Sequence, residues 1–350
     1  LFNHTGRIRY KCMSPPLGGS SEPLHRPSAF LSEIALPAAS VSATMRAKAN
    51  RGLPAAWIGG GVFLTFAILA LLMQRAGLSV DPWARSTLPF YAVGIVAISA
   101  RMFLPGSGWR HSRVVSDCAE YYGIFITIAL MGAVSCYPVV ALTHGYADAK
   151  LQAVDELLHF DWLVWYSAVA NSSALQALGT AAYRSIFITP AVLLAYYGIT
   201  AQRAEAHRFI FTFWLAAIIT LTLFTFMPAV GPFSYLWHAP ITYMPESELW
   251  QPNLIPQLRA RTVHIVDLGQ LRGLVSAPSF HACAATLYAA AAWRVPRLRW
   301  PLIAVNGAML LSTPVEGTHY LSDILLGMAI AGVALVIVHY AIAAMRNKAA

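Results

Sequence analysis

Two short stretches of the chain carry side chains able to do chemistry together. In "STPVEGTHYLSD", His319 and Asp323 are four residues apart. On a helix they share a face, so the carboxylate can hold one ring nitrogen and leave the other free as a base or nucleophile. In "SAPSFHA", Ser279 stands as an N-cap ahead of an apolar run, with His281 in the first turn. A helix start offers unpaired N–H groups and a positive dipole end, which suit an anion such as phosphate. Each stretch alone also has a plainer reading, as a capped span with an interfacial histidine. A further reading is that two histidines and an aspartate make three zinc ligands.

The elements that must position these residues are membrane helices. Hydrophobic residues make up 57% of the 350 and charged ones only 11%, far from the composition of a soluble domain. Windows of about 20 residues, long enough to cross hydrocarbon, predict an all-α integral membrane protein of about eight transmembrane helices. They fall near 55–73, 88–104, 119–142, 183–199, 209–227, 275–293, 301–315 and 321–344. Lysine and arginine crowd the segment before the first span and every second connection: Arg110 and Arg113, Arg203 and Arg208, Arg294, Arg297 and Arg299, then Arg346 and Lys348. Positive short loops stay cytoplasmic, so both termini are expected there. The other connections carry Asp81, then Asp148, Asp155, Glu156 and Asp161, then Glu246, Glu248 and Asp267, and read as external. His281 and His319 both begin spans that start on that external face, which puts them at one depth.

The net charge of +9 is accounted for by these loops and tails facing anionic headgroups, so no nucleic-acid partner is expected. Cys12, Cys118, Cys136 and Cys283 are scattered, giving neither a disulfide framework nor a zinc finger. Residues 1–50 are basic and rich in Ser, Pro and Ala without apolar periodicity, and are expected to be disordered. Met45 begins what reads as a complete membrane-protein start, and the catalytic domain is expected over 51–345. "DAKLQAVDELLHFDWLVWYSAVA" has the spacing of a helix lying along the membrane surface. The connection from Met227 to Ser276, dense in Pro, Gly and aromatics, is long enough for a lid or site. It supplies Arg259, Arg261 and Arg272, which could grip phosphate oxygens or simply be solvated loop charges.

These motifs resemble those of the type 2 phosphatidic acid phosphatase superfamily. "SAPSFHA" looks like its Pro-Ser-x-His block and "STPVEGTHYLSD" like its Ser-Arg-x5-His-x3-Asp block. The likeness runs through "DELLHFDW" and "FMPAVGPFSYL", over roughly 150–330, and suggests the inositolphosphorylceramide synthase-like branch. The resemblance implies a six-helix core bundle and metal-independent transfer, without a cofactor, through a phosphohistidine. His319 would attack phosphorus, Asp323 orient it, His281 protonate the leaving oxygen, and Ser279 with nearby N–H groups hold the phosphoryl oxygens. The substrate would be a phospholipid or lipid phosphate. Two departures stand out: Thr313 occupies the expected arginine position, and no Lys-x6-Arg-Pro block occurs. Either Arg272, Arg259 or Arg261 substitutes, with Arg272 favoured by its nearness to the first block, or the substrate is a less charged phosphodiester. Water as acceptor would make the chain a lipid phosphate phosphatase. A soluble-type vanadium haloperoxidase would need an arginine at Thr313, and a non-enzymatic lipid transporter or scaffold would use the histidines only for binding.

Overall fold

The computed structural model describes residues 55–348, in which every regular element is helical. The expected disordered segment 1–50 and the start at Met45 lie outside the described residues. Helices α1 (Ala55–Ala76) and α2 (Leu88–Phe103) pack on α3 (Ser112–Leu142). The 31 residues of α3 span roughly 46 Å at 1.5 Å per residue, more than the ~30 Å of bilayer hydrocarbon. Short helices α4 (Asp148–Leu157) and α5 (Trp162–Ala170) follow. Next come α6 (Ser173–Arg184), a 3-10 turn at Ser185–Phe187, α7 (Ile188–Ile199) and α8 (Arg203–Phe224). Beyond α8 the chain forms α9 (Pro232–Leu236), α10 (Gln251–Arg259), α11 (Phe280–Ala292), α12 (Arg299–Glu316) and α13 (Leu321–Lys348).

Among the described residues six stretches are long and apolar enough to cross a membrane: Trp57–Ala76, Leu88–Gly106, Ser112–Leu142, Ser173–Ile199, Arg203–Phe224 and Leu321–Met345. Their outward faces suit lipid, with Phe63, Phe66, Ile95 and Val96 all more than half exposed and no residue of α2 buried. The two further spans expected at 275–293 and 301–315 are helical but differ in kind. Ser279 caps α11, which leaves 13 residues, roughly 20 Å of helix. In α12, Asn306, Ser312, Thr313 and Glu316 are buried polar groups, so it is less apolar than a lipid-facing span. Both sit among neighbouring helices that cover much of their surface. In α11 the run Ala282, Cys283, Ala284 and Ala285 is fully buried, because small side chains let α8, α12 and α13 approach closely.

The stretch 148–170, expected as one surface helix, is two. His159 adopts a left-handed φ of 57°, and the Asp161 carboxylate accepts from the N–H groups of Leu163 and Val164, starting a new helix. Its faces are not merely surface ones, since Asp148, Asp155, Trp162 and Tyr166 are buried. Antiparallel connections give the bundle two distinct ends. At one, Glu120 of α3 gathers Arg101 at 2.8 Å, Arg203 at 2.6 Å and His207 at 3.0 Å, tying α2, α3 and α8. The other end holds the two histidine motifs.

Candidate active site

His319 lies not in α13 itself but in the turn that joins Glu316 of α12 to Leu321 of α13. Its pairing with Asp323 is nevertheless made: Nδ1 is 3.3 Å from Oδ2, and both side chains are buried. The turn is tight. Thr318 takes a φ of 47°, strained for a β-branched residue, and the His319 N–H donates to the Pro314 carbonyl at 3.2 Å. The ring folds over Gly317, where a Cβ would sit 2.4 Å from Cδ2 and 3.0 Å from Nε2. With Nδ1 on Asp323, Nε2 is the nitrogen left for chemistry, and glycine keeps it uncovered.

Ser279 meets the same turn from α11. Its Oγ accepts from the Ala282 N–H at 3.3 Å, and its own N–H donates to the Asp323 carbonyl at 3.1 Å. The contact is possible because Gly327 of α13 has no side chain: a Cβ there would lie 2.3 Å from the Ser279 carbonyl oxygen. His281 stacks on Tyr183 of α6, with ring centroids 3.9 Å apart and planes 18° apart. The two motifs meet through the Ser279 N–H bond to the Asp323 carbonyl.

Two aspartates from α4 hold this arrangement from behind. The N–H groups of Leu321 and Ser322 donate to Asp155 at 2.7 and 2.8 Å, so a carboxylate 166 residues away in sequence caps α13. Asp148 accepts from the N–H groups of Val230 and Gly231 and from the Tyr320 hydroxyl, each at 3.0 Å. Gly231, with a φ of 96°, leaves no room for a Cβ beside the Thr318 carbonyl. Asp155→Ala should lower stability by about 2 kcal/mol, the scale of charge-assisted bonds to helix N–H groups, and reduce kcat more than KM because the His319 turn loosens. Asp155→Asn, which keeps one acceptor oxygen, should recover part of both in melting and steady-state assays.

Residues 243–248 cover the turn. The Tyr243 hydroxyl donates to Glu316 Oε1 at 2.6 Å and lies 3.2 Å from Thr180 Oγ1. Ser247 Oγ is 3.2 Å from Thr318 Oγ1. Ser234 donates to Glu248 at 2.8 Å, and Arg184 donates to both oxygens of Glu246 at 3.0 and 2.8 Å. Beneath this cover His319 is 2% exposed and Ser279 and Asp323 are 0% exposed. Burial raises the Glu248 carboxyl above its ordinary value, against hydrogen bonds from Ser234 and Thr318 that lower it. A raised acid favours the fold while protonated, and that contribution fades as pH climbs through its folded value. Glu248→Gln should therefore flatten the decline in melting temperature from mildly acidic to neutral pH.

Two of the three arginines expected as phosphate ligands are engaged elsewhere. Arg272 stacks on Trp250, 3.5 Å from the ring centroid, and its N–H donates to the Tyr137 hydroxyl. Arg259 donates to the Gly145 carbonyl at 3.2 Å and lies over Tyr146. Arg261 is exposed with a left-handed φ of 55°. Among the described residues none of the three makes a hydrogen bond, ion pair or ring contact with His281, His319 or Ser279, and the connection that carries them folds back on α3 through α10. Thr313, at the position expected to be arginine, is buried and its hydroxyl donates to the Met309 carbonyl at 2.7 Å. Glu316 and Glu248 lie buried around the turn, with Arg184 held by Glu246, and Glu316 keeps Oε2 buried without a partner. An acid at the end of an apolar helix was a visible signal for Glu316, whereas Tyr183, Tyr243 and Arg184 carried none. Among the described residues no three His, Cys, Asp or Glu side chains converge as a metal-ligand set.

Both motifs and Asp155 of the α4 clamp, but not Asp148, fall inside a match to the model of the PAP2 superfamily over residues 149–337. That is more than half of the chain, and the chain belongs to this superfamily. Its members are generally phosphatases and phosphotransferases, so membership supports an enzyme of that general kind acting on lipid-type phosphates. No curated protein and no solved structure matches the chain.

Proposed function

We propose that the chain is a lipid phosphotransferase of the inositolphosphorylceramide synthase-like kind, moving a phosphoryl headgroup from a phosphodiester lipid to a lipid alcohol. The observation that carries this reading is the enclosure of His319 and Asp323 beside the buried acids Glu316 and Glu248, while Arg272 lies over Trp250 and Arg259 bonds Gly145. A phosphate monoester would place a doubly charged group beside buried acids, whereas a phosphodiester brings one negative charge. Enclosure also disfavours water as the acceptor. In the first step Nε2 of His319 attacks phosphorus, the bond from phosphorus to the lipid alkoxide breaks, and the departing oxygen takes a proton from His281. In the second the acceptor hydroxyl gives its proton to His281 and attacks phosphorus, and the phosphorus–nitrogen bond breaks. Asp323 holds the His319 ring and offsets its positive charge, and N–H groups at the start of α11 beside Ser279 receive the phosphoryl oxygens. The distribution of arginines supports an external site with both termini cytoplasmic.

Purified protein in chelator, given phosphatidylinositol or phosphatidic acid with and without ceramide or diacylglycerol, tests this directly. New phospholipid appearing only with acceptor is expected. Free phosphate released without acceptor would instead make the chain a hydrolase, and lipid flux in liposomes surviving loss of His319 would make it a transporter. The cover gives a finer check. The Arg184–Glu246 pair is exposed at 64% and 24%, so it contributes at most about 1 kcal/mol. Glu246→Gln should raise the ratio of hydrolysis to transfer by no more than about fivefold.

A further inference from the structure

The two histidines of the site are held by different means. His319 has a carboxylate at Nδ1, whereas among the described residues no hydrogen bond reaches the ring of His281. A general acid must aim one N–H at the oxygen that leaves, and an imidazole without a hydrogen-bonded partner turns easily about its χ2 torsion. What stands against the His281 ring is the face of Tyr183. The centroids lie 3.9 Å apart and the planes 18° apart, closer than the ~4.5–7 Å usual between aromatic rings. Turning the imidazole would drive its edge into the tyrosine.

The tyrosine is itself fixed. It is 9% exposed and lies near the end of α6, which packs along α12. Gly179 stands one turn earlier on the same face, and the Cβ it lacks would lie 3.0 Å from Oε1 of Glu316, so glycine lets α6 lie close against the end of α12. Thr180 Oγ1 is 3.2 Å from the Tyr243 hydroxyl, which donates to the same Glu316. Just past Tyr183, the Ser185 hydroxyl donates to the Ala182 carbonyl at 2.6 Å, and the 3-10 turn packs on α11. α6 is therefore tied to the elements that carry both histidines. Among the described residues the Tyr183 hydroxyl makes no hydrogen bond, which leaves the ring as the part that meets the site.

We infer, resting on the reading of His281 as the group that gives and takes the proton, that Tyr183 is its positioning residue, the ring fixing the plane of the imidazole as Asp323 fixes that of His319. A face stack occupies neither ring nitrogen, so the imidazole can give its proton in the first step and take one in the second. The test measures kcat, KM and melting temperature of the full chain with phosphorus-labelled phosphatidylinositol and ceramide, counting transfer and hydrolysis together. Tyr183→Leu is expected to lower kcat about tenfold with KM within about twofold, and Tyr183→Phe, which keeps the ring, to turn over at the natural rate. In a His281→Ala background, slowed by about 10²-fold or more by loss of the acid, adding Tyr183→Leu should cost nothing further, because a residue that acts through another has no effect once that one is gone. Tyr183→Met, which fills more of the space without a flat face, repeats the comparison where the leucine variant melts below the assay temperature. An equal loss in both backgrounds, or a phenylalanine variant as slow as the leucine one, would overturn the assignment. Natural turnover by His281→Ala would remove the proton-transfer role of His281 and that of Tyr183 with it. Natural turnover by Tyr183→Leu beside a slow His281→Ala would overturn Tyr183 alone.

Discussion

His319→Ala is expected to lower turnover by about 10⁴-fold or more, because a nucleophile that also forms the covalent intermediate has no substitute in the site. Stability should change far less. His319 sits in a turn whose N–H bond to Pro314 is backbone, and removing the ring leaves that bond in place. His319→Gln fills more of the vacated space and controls for a cavity. Brief incubation with a donor labelled at phosphorus, quenched in base, should leave label on the natural protein and none on either variant. Appreciable residual transfer in His319→Ala would sink the phosphohistidine mechanism.

The second large effect belongs to a residue with no side chain. In Gly327→Ala the added carbon would stand 2.3 Å from the Ser279 carbonyl oxygen and 3.2 Å from the Cys283 nitrogen, both backbone atoms that cannot rotate away. α13 must then withdraw from α11, at a cost of about 1–3 kcal/mol for an overpacked contact. The withdrawal separates His319 and Asp323 on one side from Ser279 and His281 on the other. Misplacement of about 1 Å is enough for a 10²-fold loss of turnover. Gly332→Ala, five residues on in the same helix, meets nothing within 4 Å and should leave melting and turnover unchanged or slightly improved. Equal behaviour of the two variants would show that the packing of α13 on α11 does not set the geometry.

What was legible in the sequence was what local spacing encodes. Ser279, His281, His319 and Asp323 could be picked out because each lies within five residues of its motif partner, and apolar runs located the long helices. What was not legible depends on pairings across long stretches of chain. Asp155 reads as one acid on a surface helix until it caps α13, and Tyr243 reads as a loop aromatic until it bonds Glu316. For Arg272, proximity in sequence to Ser279 suggests a shared site, whereas its guanidinium stacks on Trp250. The break at His159 was hidden because the apolar spacing carries on across it, while the left-handed residue and the Asp161 cap divide the helix.

The outlying position of α2 has a consequence for how the molecule fits its surroundings. It packs on α3, buries none of its own residues and lies outside the matched segment 149–337. Its outer face is thus a surface where residues can be exchanged with little packing penalty. Matching a thicker or thinner bilayer, or seating another membrane protein alongside, could be achieved there while every group around His319 stays as it is.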